Sequence, residues 1–534
     1  MRSILRRSWE LWLGFGLVVA LYGAFALQGA LPLLSPDETA VWSVAQGVWE
    51  HGSPILREAR AEAFPWLHPR SFVAQYGTLF PVGFPTWPAL LSVFARLPWA
   101  LMHWVAVLAC ASLFFPLVWS MERFGGWSRR RSVAWALTGM LVPVAVLYGN
   151  RSFFTLMPQL AGVGWVGYWL MGRDTYTTRR LVGVGAFAAL VVGLRPLEAL
   201  WILPWWVLAL FWRGAHKSVS RHQIRALMLG GVLGGGLVAG IHAWTYGAPW
   251  MIGYWLRTLP ALDAPTAAVS VEGGSSIWRA VFPYGYAPRQ LWTNARAAWS
   301  LGAWPWALLI TLGVLALARR GREAFTQGER GAALALVWTA CVLAAFYGQG
   351  RFSDHIGGLS MHLGNSFLRY TAPLWIGLTL WAWYQLGAWY DASERHWTAW
   401  SKRGITAGLG MAFLALVGGG VVWAYTDAED GLWRGRRERE HYAFVRSFVL
   451  DETEASTIWL SERSDKMLAP ARAATANIPP LTEVRRFLEA KQGRVWMYRR
   501  PLSQQDRDAW RKAGLEVIEH GRFPREIIYE VRLR

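Results

Sequence analysis

The sequence predicts a polytopic α-helical membrane protein of about eleven transmembrane helices with a small C-terminal extracytoplasmic α/β domain. Three observations lead there. Of the 534 residues, 54% are hydrophobic and only 16% charged, and the apolar ones gather in runs of about twenty, the length of a membrane-spanning helix. Basic residues concentrate in alternate connections between those runs. After Tyr425 the apolar runs stop, and charge is dense to the end of the chain.

Windows of about 19 residues place the runs near 9–31, 98–121, 131–149, 153–171, 181–194, 197–212, 225–246, 299–318, 332–349, 369–389 and 403–424. The first follows Arg2, Arg6 and Arg7 and contains Ala24-Phe25-Ala26, a cleavage-like triplet, but the run is longer than a signal-peptide core. Arg195-Pro196 separates two short runs and predicts either a tight outer turn or one broken helix. The stretch from Phe84 to Leu97 is apolar, short and bracketed by prolines, as an interfacial or re-entrant helix is.

A net charge of +20 would point to nucleic acid in a soluble protein. Here its distribution excludes that partner. Arg2/Arg6/Arg7, Arg123/Arg129/Arg130/Arg131, Arg173/Arg179/Arg180, Arg213/Lys217/Arg221/Arg225, Arg319/Arg320/Arg322/Arg330 and Arg395/Lys402/Arg403 fall in alternate short connections, which are therefore cytoplasmic. The N-terminus is then inside and the C-terminus outside. Residues 1–424 form the membrane module, with long outer loops at 34–83, 247–300 and 350–368. Residues 425–534 form a soluble domain, where short β-like runs (Thr457–Leu460, Arg494–Tyr498, Leu515–Ile518, Ile527–Val531) alternate with helical ones (Glu438–Val449, Leu502–Ala513). Cys110 and Cys341 lie in separate runs and offer neither a disulfide framework nor a metal cluster.

Function is sought in the outer loops, which helices present to one side. The first opens on Ser35-Pro36-Asp37-Glu38 ahead of a helical pattern through Ala40, Val41, Val44, Ala45 and Val48. Ser35 fits an N-cap, Pro36 the first helical residue and Glu38 the third, a capping box. That assignment leaves the Asp37 carboxylate directed elsewhere. An acid at a helix N-terminus suits a base or a cation ligand better than a proton donor.

An Asp-Glu pair just after the first span resembles the GT-C class of membrane glycosyltransferases, particularly the protein O-mannosyltransferases and the lipid A aminoarabinose transferases. Further features follow in the same order. Glu50-His51-Gly52 is similar to the helix end and glycine of that class. Phe80-Pro81-Val82-Gly83-Phe84-Pro85-Thr86-Trp87-Pro88 looks like its proline-rich return to the membrane, with Leu79-Phe80 where relatives often carry a lysine. Ser366-Phe367-Leu368-Arg369-Tyr370-Thr371-Ala372-Pro373 resembles the Arg-Tyr-x-x-Pro opening of a late helix. The resemblance covers the chain to about residue 424.

The resemblance implies an integral protein of the bacterial inner membrane that moves a sugar, usually with inversion, from a polyprenyl phosphate or diphosphate to a lipid, glycan or protein acceptor at the outer face. In that chemistry a base takes the acceptor's proton while cations stabilise the departing lipid phosphate. Asp37 is the expected base, with Glu38 as capping or secondary acid. Arg369, able to grip phosphate bidentately, is the expected phosphate ligand, with Tyr370 beside it. Secondary candidates are His355, His362, Arg57, Arg60, His68 and Arg70. Asp354-His355 and Glu272 could add ligands for a divalent ion, but a hard cation wants several converging oxygens and these loops are poor in acids, so no metal or other cofactor is expected. Trp66, Trp87, Trp250 and Trp278 could stack on a sugar or flank an isoprenoid, though most of the 37 tryptophans read as an interfacial belt. Glu272-Gly273-Gly274 and Phe282-Pro283-Tyr284-Gly285-Tyr286 mark a turn-rich segment suited to gating. Two other functions remain open. A transporter would use Arg195, Glu198 and His242, and an envelope polysaccharide polymerase or ligase would share the outer-face site.

Overall fold

The structure, a computed structural model, describes residues 9–27, 33–172, 176–211, 219–256, 285–299, 304–320, 326–352, 362–393, 397–524 and 526–534. They divide into two compact units. The first comprises Met1–Gln28, His103–Gly235 and Pro265–Arg434, the second Gly29–Met102, Gly236–Ala264 and Gly435–Arg534.

The first unit is helical. Among the described residues of the whole chain, four helices are long and apolar enough to cross a membrane: Trp99–Arg123, Arg221–Tyr246, Gly328–Phe346 and Ala399–Thr426. The number rises to six if each of two bent pairs is one span. The run at 131–149, expected as one helix, is Arg129–Met140 followed by Pro143–Asn150 at 74°. Pro143 opens the second piece, where its missing N–H costs nothing, and cannot continue the first. Thr178–Leu194 and Pro196–Phe211 meet at 115° through a 3-10 turn at Pro196–Glu198, so the chain does break at Arg195-Pro196. Shorter apolar helices occupy Trp9–Tyr22 and Trp306–Arg319. A helix lies in each of the runs read from the sequence, several of them short or broken, and length and composition alone identify four to six spans among the described residues.

Buried polar side chains tie these helices together. Asn150 donates to the Leu21 carbonyl at 2.6 Å and accepts from the Phe25 amide at 3.3 Å, while the Tyr22 hydroxyl donates to the Met140 carbonyl at 2.7 Å. In an apolar interior each such bond spares a polar group a large desolvation cost. Elsewhere glycine permits direct backbone packing. A Cβ at Gly230 would lie 2.0 Å from the Val182 carbonyl oxygen, and one at Gly185 would lie 2.1 Å from that of Leu227. Thr178–Leu194 and Arg221–Tyr246 therefore approach through small residues, as packed membrane helices do.

The second unit holds both sheets. Strands β1 (Leu56–Arg57), β2 (Phe72–Gln75) and β3 (Thr78–Pro81) form an antiparallel sheet of order β1-β3-β2 that hydropathy did not reveal. Tyr76 and Gly77, both at positive φ, make the β2–β3 turn. Helix Thr86–Ser92 follows, within the stretch expected to re-enter the membrane. The C-terminal sheet has order β5-β4-β6-β8-β7, built from β4 (Ile458–Ser461), β5 (Ala473–Ala474), β6 (Val495–Arg499), β7 (Leu515–Arg522) and β8 (Ile527–Leu533). β4 is parallel to β5 and β6, and the other pairs are antiparallel. The core ignores the chain division at 425. Ala40, Val44, Phe64, Leu67 and Phe72 from the first loop share one apolar cluster with Ile458, Leu460, Phe487, Val495 and Met497.

Candidate active site

The acid pair opens helix Pro36–His51. Ser35 is the N-cap, with its hydroxyl accepting from the Asp37 N–H at 3.2 Å, and Gly52, at φ 63°, closes the far end in the left-handed conformation that glycine favours. The two acids then part. Asp37 is half-buried, and its carboxylate accepts a 2.6 Å hydrogen bond from the hydroxyl of Ser71. Ser71 itself holds φ 64°, a conformation costly for a residue with a side chain. The Ser71 carbonyl accepts from the Val82 amide at 2.9 Å, so the strained residue is locked beside β3. Glu38 is only 3% exposed and interacts with Arg439, itself 5% exposed. Burial pushes the Arg439 guanidinium below the usual arginine range and the Glu38 carboxylate pulls it back. Glu38 is thus a buried charge partner, and Asp37 is the member of the pair held by a hydroxyl.

Three of the four basic candidates in the first loop have partners within the second unit. Arg57 is exposed on β1. Arg60 grips Glu58 through two bonds of 2.8 and 2.9 Å and donates to the Ser456 carbonyl. His68 sets Nδ1 3.1 Å from the Pro69 carbonyl oxygen. Arg70 pairs with the fully buried Asp465 at 2.8 Å, its amide donating to the same carboxylate at 2.6 Å. Arg60 and Arg70 thereby fasten the loop to the C-terminal sheet region of the same unit.

His362, Arg369 and Tyr370 belong to the first unit. His362 Nδ1 meets the carboxylate of Asp430, which also accepts from the Gly364 amide at 3.0 Å. Arg369 opens helix Ser366–Ser393, donates to the Tyr370 hydroxyl at 2.9 Å, and lies 4.8 Å from the centroids of both the Phe154 and the Tyr370 rings. Tyr347 stacks on Tyr370 with centroids 4.3 Å apart, and its hydroxyl donates to Glu198 at 2.9 Å. Glu198 also accepts from the Trp201 indole and pairs with Arg195 at 2.8 Å. His355, Asp354, Glu272 and Trp278 lie outside the described residues, as does most of the turn-rich segment up to Tyr284. Trp66 packs on Phe64 and Phe487, Trp87 is buried and Trp250 is exposed.

Sequence reasoning did not single out Ser71, Arg439, Asp430 or Tyr347. Ser71 carries no local signal, because its role depends on a left-handed backbone. Arg439 belongs to a visible basic run after the last apolar helix, Arg434, Arg436, Arg437 and Arg439.

These helices and sheets make up a GT-C-like membrane fold. ArnT from Cupriavidus metallidurans bound to undecaprenyl phosphate aligns with 98% of this chain and 98% of its own at 13% identity and a TM-score of 0.54. Its apo state aligns over 97% of each chain at 13% identity and a TM-score of 0.51. No family model matches the sequence, and no curated protein matches it.

Proposed function

We propose that the chain is a glycosyltransferase that moves a sugar, with inversion, from a polyprenyl-phosphate donor to an acceptor at the outer face of the membrane. The Asp37 carboxylate, set at a helix N-terminus and held by Ser71, is the observation that carries this reading. A fold shared along nearly the whole chain with a protein crystallised on undecaprenyl phosphate supports the lipid class of the donor. As the acceptor hydroxyl or amine attacks the anomeric carbon, Asp37 takes its proton. The bond from that carbon to the phosphate oxygen breaks with its electron pair on the phosphate, and polyprenyl phosphate departs. Arg369, with Tyr370 beside it, stabilises the departing charge. The acceptor is a lipid, a glycan or a protein, no metal takes part, and the N-terminus faces the cytoplasm of a bacterial inner membrane.

The test incubates the purified full chain with a panel of polyprenyl-phosphate sugars and follows release of polyprenyl phosphate. Release from one donor, abolished by Asp37→Asn, is expected. Binding of the lipid without release from any donor, in the presence of lipid, glycan and peptide acceptors, would overturn the assignment.

A further inference from the structure

We infer that Asp465, in the C-terminal segment, is a positioning residue for the Asp37 carboxylate, acting through Arg70 and the left-handed backbone of Ser71. The inference rests on the role proposed above for Asp37, and Asp37, Arg70, Ser71 and Asp465 all belong to the second unit. Asp465 is 0% exposed and holds Arg70 twice. Its Oδ2 accepts from the Arg70 backbone amide at 2.6 Å and its Oδ1 from Arg70 Nε at 2.8 Å, while Nη2 of the same guanidinium donates to the Arg463 carbonyl. One carboxylate thus fixes both the main chain and the side chain of the residue just before Ser71.

Ser71 needs that restraint. A residue with a side chain persists at φ 64° only where its surroundings over-determine it. The chain is pinned on both sides. Ahead of Ser71, the His68 carbonyl accepts from the Ala476 amide at 2.9 Å and the Arg70 amide reaches Asp465. Beyond it, the Ser71 carbonyl accepts from the Val82 amide at 2.9 Å, and Phe72 pairs with Pro81 in the β2–β3 ladder. The hairpin therefore supplies the later restraints, and the C-terminal segment supplies these earlier ones. With its backbone held, Ser71 brings its hydroxyl to Asp37 Oδ1 at 2.6 Å. A misplacement of about 1 Å at a reacting group can cost about a hundredfold in rate, so such a tether bears on turnover as well as on stability. Were the Arg70–Asp465 pair only a fastening, its loss would act on rate independently of the Ser71 hydroxyl.

The test is a double-mutant cycle on the full chain, with Asp465→Asn placed in the unmodified and the Ser71→Gly backgrounds and kcat, KM and melting temperature read for transfer from the polyprenyl-phosphate sugar. Asparagine keeps the volume but offers one acceptor oxygen to the two Arg70 donors, and Arg70, 28% exposed, keeps its charge in reach of water. Asp465→Asn should lower kcat about tenfold, the scale of one hydrogen bond to a charged group, with KM within about twofold. In Ser71→Gly no hydroxyl remains to be placed, so the same change should alter kcat by less than about twofold while lowering the melting temperature equally in both backgrounds. Equal fold losses of kcat in the two backgrounds, or no loss in either, would overturn the inference. Arg70→Lys, which leaves a cation beside Asp465, carries the same cycle with the same expectations if Asp465→Asn does not fold. Hydrogen exchange supplies a readout that needs no reaction. The Val82 amide, bonded to Ser71, should exchange at least about tenfold faster in Asp465→Asn, with the amides of helix Gln504–Lys512 unchanged. Unaltered exchange at Val82 would also overturn the inference. Faster exchange there in a chain that transfers no sugar would keep the tether and sink the glycosyltransferase reading, whereas transfer with independent losses would sink only the tether.

Discussion

Two variants separate the chemistry of Asp37 from its placement. Asp37→Asn keeps the shape and removes the proposed base, and loss of a general base costs about 10²- to 10⁴-fold in rate. Ser71→Gly instead keeps the carboxylate and removes the hydroxyl that holds it at 2.6 Å. A hydrogen bond to a charged acceptor is worth about 1.5–3 kcal/mol. If that bond is spent entirely on orienting the carboxylate, the rate falls about ten- to a hundredfold, at about 1.4 kcal/mol per decade. Because Ser71 holds φ 64°, glycine also relieves the backbone, so the variant should melt no lower than the unmodified protein. Activity and stability therefore move differently, which a generally damaged fold would not produce. Single-turnover transfer from the polyprenyl-phosphate sugar that supports release, measured beside thermal unfolding of the same preparation, reads both. Transfer at the full rate by Asp37→Asn would remove Asp37 as the base. An inactive Asp37→Asn with a fully active Ser71→Gly would keep the base and refute the role given to Ser71.

Gly230→Ala should destabilise the helical unit by more than about 1 kcal/mol by overpacking, since its Cβ would meet the Val182 carbonyl at 2.0 Å, whereas Gly231→Ala, with nothing within 4 Å, should be neutral or slightly stabilising. Thermal unfolding of the two adjacent variants compares them directly. Arg70→Ala leaves the fully buried Asp465 without its ion partner and should cost about 3 kcal/mol, read as a lower melting temperature and faster proteolysis between β4 and β6. Burial pushes the Glu530 carboxyl up, but hydrogen bonds from Arg532 and His520 outweigh it and hold the group below the usual glutamate range. A depressed carboxyl stabilises the fold above the unfolded-state value and loses that contribution as pH falls through the folded one. Melting temperatures followed from neutral to acid pH should fall less steeply in Glu530→Gln than in the unmodified protein.

What could be read from the sequence was local. Ser35-Pro36 and Gly52 bracket the helix Pro36–His51 because capping and left-handed closure depend on adjacent residues. Four of the five C-terminal strands show as apolar or alternating runs, with β6 and β8 nearly continuous because both of their faces are covered, whereas β5 is two residues long and leaves no pattern. The β1–β3 sheet was missed for a related reason, since its strands are two to four residues long and β2 does not alternate. Periodicity also says which face is apolar and not what covers it. Phe64 packs edge-on against Phe487, centroids 5.0 Å apart, and nothing in the loop announces a partner so distant in the chain. The site divides along the same line. Asp37 and Arg369 carry motif signals, whereas Ser71 and Tyr347 are recognisable only once the chain has folded around them.

The break at Arg195-Pro196 shows how an irregularity visible in the sequence becomes chemistry. Proline removes one backbone donor and turns the chain 115° through Pro196–Glu198. Arg195 and Glu198 sit at that corner, away from the regular flank of either helix. Irregular backbone between apolar helices persists where its polar groups find partners in the protein. Here the side chains supply further contacts: Glu198 gathers Arg195, Trp201 and Tyr347, and Tyr347 carries the order to Tyr370 and so to Arg369. A transporter would use a buried acid of this kind as a proton carrier, alternately filled and empty. With an arginine and two neutral donors on one carboxylate, Glu198 is suited to holding its neighbours still.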